Sequence, residues 1–472
     1  MKKTVIVLSI LLVLFLVFPL SMISAGMLTP ACYDVTYVGA LSRKMERIES
    51  LTGPKIIVIG TSSVAFGLRS DILEKETGMP VVNFGLYASL GTKLMLEMAK
   101  NYINEGDIVI VSPEQDRQTL SNYFNADMTW RAFDGHFDYL RFLDKQDLSD
   151  MAGSYLGFVH EKCANLSSGR SLSVSGVYSA DSFNEYGDIE YRRTSNTMFG
   201  AFDANTVISF DKDVISDDFI EYLNAFAKDA GKKGARVCFG FCPMNRAALE
   251  EGTDSEKIYE YFSYLSEKLD LEIISDPETY IMDSGWFYDS NFHLNDAGAI
   301  LHTVHLAKDI KLLLGDLTEI TTEIPEMPSL PDEKEQEQSE IEFFVTLESD
   351  NDIAISGLTE AGKAQKIIEV PSEINGKPVA AIMEYAFSDA SLLETVKLSD
   401  GLTYIANNAF SGCESLRRVY IGCTDPSAVK VGEDLLAGTN DCVIIAPESL
   451  FAEYTSDYNW SQIYDMGQLE FE

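Results

Sequence analysis

Positive charge is scarce in this chain. Its 472 residues carry 36 Lys and Arg against 74 Asp and Glu, a formal net charge of −38. A field of that sign repels nucleic acid and anionic lipid, so DNA and RNA are excluded as partners. Histidine is scarcer still, at five residues, so the choice of an imidazole base is nearly made by counting. The seven cysteines are too few for a disulfide scaffold, and no CxxC corner offers a metal site. Cys238 and Cys242 fall four steps apart in a strand pattern, roughly 13 Å. A disulfide spans about 7 Å at most, so they read as core thiols. What is present is an ordinary globular composition, 46% hydrophobic and 23% charged, with length for about two or three domains.

The first 26 residues read as a targeting segment. Met1-Lys2-Lys3 precedes a nearly uncharged run from Thr4 to Ala25, rich in Ile, Leu, Val and Phe. Such a run is either a secretory signal ending near Ile23-Ser24-Ala25 or, at roughly 20 residues, an uncleaved membrane anchor. Both place the remaining chain outside the cytoplasm, on the cell surface or secreted. Cys32 lacks the flanking pattern of a lipid-attachment cysteine.

From residue 50 to 315 the pattern alternates between strand and helix. Apolar runs at Lys55–Gly60, Pro80–Phe84, Asp107–Val111, Ala235–Phe241 and Leu271–Ser275 are short and apolar on both faces. The expectation is α/β: a doubly wound, parallel five-stranded sheet of flavodoxin-like type. Helix starts are signalled by Ser216, by Thr253 with Glu256 as a capping box, and by Asn295; Leu94, Met98 and Tyr102 share a helix face. An aromatic-rich insertion, 115–209, interrupts the pattern at a position where it roofs the sheet edge or simply packs on itself. Residues 316–340 hold Pro325, Pro328 and Pro331 among many acids and read as a linker.

Beyond the linker, 341–472, a repeat emerges. Ile382-Met383-Glu384-Tyr385-Ala386-Phe387 is echoed by Ile405-Ala406-Asn407-Asn408-Ala409-Phe410, and Leu392–Leu398 by Ser415–Ile421. A period in the twenties with apolar residues in fixed phase predicts a small leucine-rich-repeat solenoid. The phrase resembles the BspA-like leucine-rich repeats of bacterial surface proteins. Two full units are legible, with Val370-Pro371 and Ile445-Ala446-Pro447 as degenerate outer ones.

Chemistry in the first domain centres on Ser62, in Gly60-Thr61-Ser62-Ser63 after the first strand. A serine hydroxyl needs a base to take its proton and backbone N–H groups to hold the oxyanion. His293 stands before the last helix with Asp289 four residues upstream, and Gly85 follows the second strand with no Cβ to block its amide. In this order the residues resemble the SGNH hydrolase superfamily, in its exported, membrane-linked acyltransferase and esterase branches, over residues 55–314. The resemblance implies Ser62 as nucleophile with Ser63 as second choice, His293 as base and Asp289 as orienting acid. It also implies oxyanion donors at Ser62 and Gly85. Two positions depart from the family. Ser290 occupies the usual acid position three before histidine, which leaves Asp283 and Asp296 as alternatives to Asp289. No asparagine follows strand three in Val111-Ser112-Pro113-Glu114-Gln115, so Gln115 or Ser112 stands in, or the hole has two donors.

The remaining candidates read structurally. His302 and His305 lie three apart without a third metal ligand, His136 and His160 sit in the insertion, and Asn245 forms a loop after strand four. The function expected is an exported serine esterase or O-acyltransferase acting on acyl groups of cell-envelope carbohydrate. No metal or organic cofactor is called for. Its partners are an acylated glycan, a protein or glycan held by the repeats, and the membrane through the first segment. The rival expectation is a surface adhesion protein whose repeats bind protein or glycan and whose first domain is catalytically inactive.

Overall fold

The computed structural model describes residues 21, 24, 26–167, 171–174, 176–204, 206–330, 343–388, 390–423, 425–432, 434–440 and 442–471. The targeting segment and the acidic end of the linker, 331–340, lie almost wholly outside them. Among the described residues no helix is long and apolar enough to cross a membrane. The chain divides into two units, one of residues 1–163 with 180–336 and one of 164–179 with 337–472.

The first unit is built on five parallel strands: β1 (Ile56–Gly60), β2 (Val81–Gly85), β3 (Ile108–Ser112), β4 (Arg236–Phe239) and β5 (Glu272–Ile273). Their order is β2-β1-β3-β4-β5. Residues of β1 to β3 are buried on both faces, as β-branched runs covered by helices should be. The register pairs Gly60 with Gly85 on one side and with Ser112 on the other. The helices of this part of the chain are α1 (Leu41–Ser50), α2 (Ser62–Gly67), α3 (Ser70–Thr77), α4 (Thr92–Lys100), α5 (Ala126–Ala132), α6 (Lys145–Ser167), α7 (Asp217–Lys232), α8 (Ser255–Lys268) and α9 (Asp296–Leu313). Ser216 caps α7 through the Phe219 N–H and Asn295 caps α9 through the Gly298 N–H. The α8 cap is one residue later than the sequence suggests. Asp254 accepts from the Lys257 N–H, and a carboxylate at a helix start outcompetes the neighbouring Thr253 hydroxyl.

Two boundaries differ from expectation. Residues 164–179 of the insertion belong with the repeats, because Ser171–Val174 pairs antiparallel with Phe344–Glu348. The first part of the linker is not free chain. Thr321 and Thr322 hydroxyls donate to Glu76 at 2.8 and 2.7 Å, and Asp316 pairs with Lys311 at 2.7 Å.

The second unit is a solenoid of two ladders. One runs Ile367–Glu369, Thr395–Leu398, Arg418–Ile421, Val443–Ala446 and Leu469–Phe471, all parallel. The other places Lys377–Ile382, Tyr404–Ile405 and Lys430–Val431 in parallel beside the hairpin Phe344–Glu348 and Ile353–Leu358. Ala381 pairs with Tyr404 and Thr395 with Arg418, so the 23-residue echo is the stacking step. The Phe387 and Phe410 rings meet at 5.0 Å, tilted by 30°, both fully buried, and Leu393, Leu416, Val396 and Val419 fill the same core. At the far end Tyr454 and Trp460 close the core edge to face at 5.1 Å. The ladder therefore continues past Ile445-Ala446, which is not its end.

The turn at this point of each repeat requires a left-handed residue: Tyr385 (φ 59°) and Asn408 (φ 56°) before Ala-Phe, and Asp434 (φ 53°) before Leu435-Leu436. Asparagine and aspartate tolerate that region, whereas tyrosine pays about 1–2 kcal/mol there. Tyr385 is half exposed and its ring secures little in return. Tyr385→Asn should therefore stabilise the repeats by about 1 kcal/mol, read as a higher urea midpoint with unchanged m-value.

Candidate functional site

All five strands point the same way, so their carboxyl ends meet along one edge of the sheet. The strand order reverses beside β1, with β2 on one side and β3 on the other, and ligands of open parallel sheets bind at such a reversal. Ser62 lies two residues past Gly60 and Glu114 two past Ser112. Because Gly60 and Ser112 are paired, the register delivers Ser62 and Glu114 side by side at this point. The Ser62 hydroxyl donates to Glu114 Oε1 at 2.9 Å, and the Ser63 N–H donates to the same oxygen at 2.8 Å. Thr61 provides no side-chain cap for α2, so Glu114 satisfies one orphan amide of that helix from the neighbouring strand. Ser62 and Glu114 are each 5% exposed.

His293 reaches the same helix by a different route. Phe66 stands four residues after Ser62, on the same face of α2. The His293 imidazole lies flat on the Phe66 ring, 3.9 Å between centroids and 6° between planes. Its Nδ1 is 2.7 Å from Asp289 Oδ1. The four-residue spacing works because Ser290 Oγ accepts from the Phe292 and His293 N–H groups and tightens the turn. Asp283 and Asp296 are engaged elsewhere, with Arg246 at 3.0 Å and Arg193 at 3.4 Å. Arg193, nearly fully buried, donates to the Phe66 and Ile189 carbonyls at 3.0 and 3.3 Å. Burial pulls its guanidinium below the ordinary range, against the pull of Asp296 and Asp289.

Tyr37 joins the two clusters. Burial pushes its hydroxyl well above the ordinary range, and the Glu114 and Asp289 carboxylates push further. Burial and Glu114 likewise push Asp116 up to about 6. The roof over this edge is aromatic: Tyr37 packs on Phe183 at 5.0 Å, Tyr87 at 6.0 Å and Phe66 at 6.3 Å. The Ala180 N–H bonds to the Val35 carbonyl at 3.0 Å.

Gly85 and Gln115 are placed differently from expectation. The Gly85 N–H does not face open space; it donates to Asn83 Oδ1 at 3.1 Å. Gly85 is glycine for packing, since a Cβ there would fall 2.4 Å from Val64 Cβ and 2.6 Å from the Thr61 carbonyl oxygen. Gln115 turns away and donates to the Ser209 carbonyl at 3.1 Å. The residue missed in the sequence is Glu114, and strand register is the signal that finds it. Asn245 bonds to Ala247, Ser284 and Ala201, which fixes its own loop. His302 Nδ1 meets the Gly67 carbonyl at 2.7 Å, His136 stacks on Tyr139, and His160 is exposed. Among the described residues no three His, Cys, Asp or Glu side chains converge as a metal site.

Comparison with known proteins bears on the second unit. Residues 366–450 are a BspA type leucine rich repeat region, matched in six copies. No curated protein matches the chain. Similar solved structures include a leucine rich cell surface protein from Faecalibacterium prausnitzii A2-165, 25% identical over 23% of this chain and 32% of that one, TM-score 0.19. A leucine rich repeat protein of T. pallidum is 21% identical over 23% of this chain and 64% of that one, TM-score 0.17. One from Bacteroides capillosus ATCC 29799 is 20% identical over 22% of this chain and 94% of that one, TM-score 0.18. The chain thus spans about a third of the first protein's length and under two thirds of the second's.

His302 gives this domain an acid sensitivity. Burial lowers its imidazole from 6.5 to about 4. Between those values the unfolded chain holds a proton that the folded chain lacks, so stability falls as pH drops through that window. The loss approaches about 3 kcal/mol. His302→Asn keeps a donor for the Gly67 carbonyl without the titration, and its melting temperature should fall less between pH 6.5 and 4.

Proposed function

We propose that the chain is an exported, cell-surface binding protein whose repeats hold a protein or glycan partner. One observation carries the reading: residues 366–450 are BspA-type repeats stacked into parallel ladders. Stacking presents one side chain per repeat in a regular row, the form of surface that repeat proteins use for recognition. Exposed Ile367 and Arg418 share one such row, and Tyr404 and Lys430 share another. Aromatic residues and arginine dominate the energetics of such contacts. The uncharged run 4–25 supports export.

A second reading is favoured by the Ser62–Glu114 and His293–Asp289 pairs at the switch point. Under it the first unit is a serine esterase or O-acyltransferase of SGNH type, acting on acylated cell-envelope carbohydrate. Ser62 is the nucleophile, and the His293–Asp289 pair supplies acid–base help of about 10²–10⁴-fold. The near-complete burial of Ser62 and the engaged Gly85 amide weigh on the other side.

Protein lacking residues 1–25 should bind immobilised cell-envelope glycan or matrix protein, and Tyr404→Ala with Arg418→Ala should weaken it by 10-fold or more, about 1.4 kcal/mol. Full binding by that double variant would remove these rows from the interface. The same protein, offered a short-chain aryl ester, tests the second reading: Ser62→Ala should reduce hydrolysis to background. Activity that survives this substitution would exclude Ser62, and the absence of any ester hydrolysis alongside intact binding leaves the binding reading alone.

A further inference from the structure

We propose that Glu114 is the base that takes the Ser62 proton when Ser62 is acylated, an inference that rests on the acyl-transfer reading of this site. A serine hydroxyl has one proton, and Ser62 donates it to Glu114 Oε1 at 2.9 Å. The contact follows from the sheet itself, since Gly60 pairs with Ser112 and both side chains lie two residues beyond. Glu114 therefore fills the place where the resemblance leads one to seek an asparagine donor, and a carboxylate there accepts a proton where an amide would donate one.

The step balances without a cofactor. Ser62 Oγ forms a bond to the ester carbonyl carbon as its proton passes to Glu114 Oε1, and the carbonyl π pair moves onto oxygen. When the tetrahedral adduct collapses, the bond from carbon to the departing alkoxy oxygen breaks and that oxygen takes the proton back from Glu114. The products are acyl-Ser62, an alcohol and an ionised Glu114. The His293–Asp289 pair remains for the second half, in which an incoming water or hydroxyl loses its proton.

A purely structural role for Glu114 is to cap the Ser63 N–H, which it meets at 2.8 Å. Glutamine preserves that acceptor oxygen while removing the base, so Glu114→Gln separates the two roles. Other titratable groups facing Glu114 are Asp116 after β3, Tyr37 of the N-terminal segment and Cys242 after β4.

The test is reaction of protein lacking residues 1–25 with an alkyl fluorophosphonate, followed by mass spectrometry of the Ser62 peptide. Glu114→Gln should label about 100-fold more slowly at an unchanged melting temperature, and added formate should restore labelling to Glu114→Ala. Labelling of Glu114→Gln within about threefold of the wild-type rate overturns the role of Glu114 alone. No labelling of the folded wild-type protein overturns the acyl-transfer reading as a whole. Should Glu114→Gln not fold, Glu114→Ala decides: labelling of that variant without formate within about threefold of the wild-type rate overturns the proposal.

Discussion

Two glycines side by side hold the polar cluster at the strand ends of the first domain in place. A Cβ at Gly60 would lie 2.3 Å from the Ser112 carbonyl oxygen and 2.5 Å from Val64 Cγ2, and Gly85 meets Val64 as closely. Their absence of side chain lets α2 start directly over the sheet edge. Only then does Ser62 stand at the reversal of strand order, Phe66 one turn later become a platform for His293, and Ser63 offer its amide to Glu114. A larger residue at either position would lift the helix and part these groups together.

The scarcity of basic residues makes the buried ones more telling. Lys44, Lys55, Lys162 and Arg193 are almost fully enclosed, and each pins segments distant in sequence. Lys55 pairs with Asp107 across the amino ends of β1 and β3, and Lys162 joins Asp134 to the Gly26 carbonyl. Lys44 ties the Gly187 carbonyl to that of Asn83, while Arg193 ties Ile189 to Phe66. Removing one member of such a set leaves a buried group unpaired, typically at a cost of about 3–5 kcal/mol. The insertion is thus locked to the sheet edge by cations in the interior, while the excess of carboxylates is left to the surface.

What could be read from the sequence follows the range of the forces involved. The five strands were legible because both faces of β1, β2 and β3 are covered and their residues are apolar throughout. Ser216 and Asn295 were legible because a cap is a contact over three residues. Glu114 was not, because its meaning depends on the pairing of Gly60 with Ser112, which no local pattern displays. The Gly85 amide was misread for the same reason: its partner Asn83 is close in sequence, but only the strand pleat shows that the two converge. The third repeat escaped notice because Asp434-Leu435-Leu436 keeps the backbone turn while replacing the Ala-Phe phrase, and its step is 26 residues where the earlier one is 23.

The strand at 171–174 changes what counts as the repeat domain. By sequence it begins near 341, yet Phe344–Glu348 then presents a free edge on the side opposite Ile353–Leu358. Ser171–Val174 covers that edge, and Leu172 packs against the apolar group of Leu347, Ala354 and Ala381. An uncovered edge with alternating apolar residues invites pairing with other chains. The insertion therefore has two physical duties. Phe183 packs on Tyr37 over the sheet edge of the first unit, and the segment 171–174 closes the ladder that begins the solenoid. A solenoid produced from residues 341–472 alone lacks that strand, and aggregation through the exposed edge is the consequence the pairing pattern dictates.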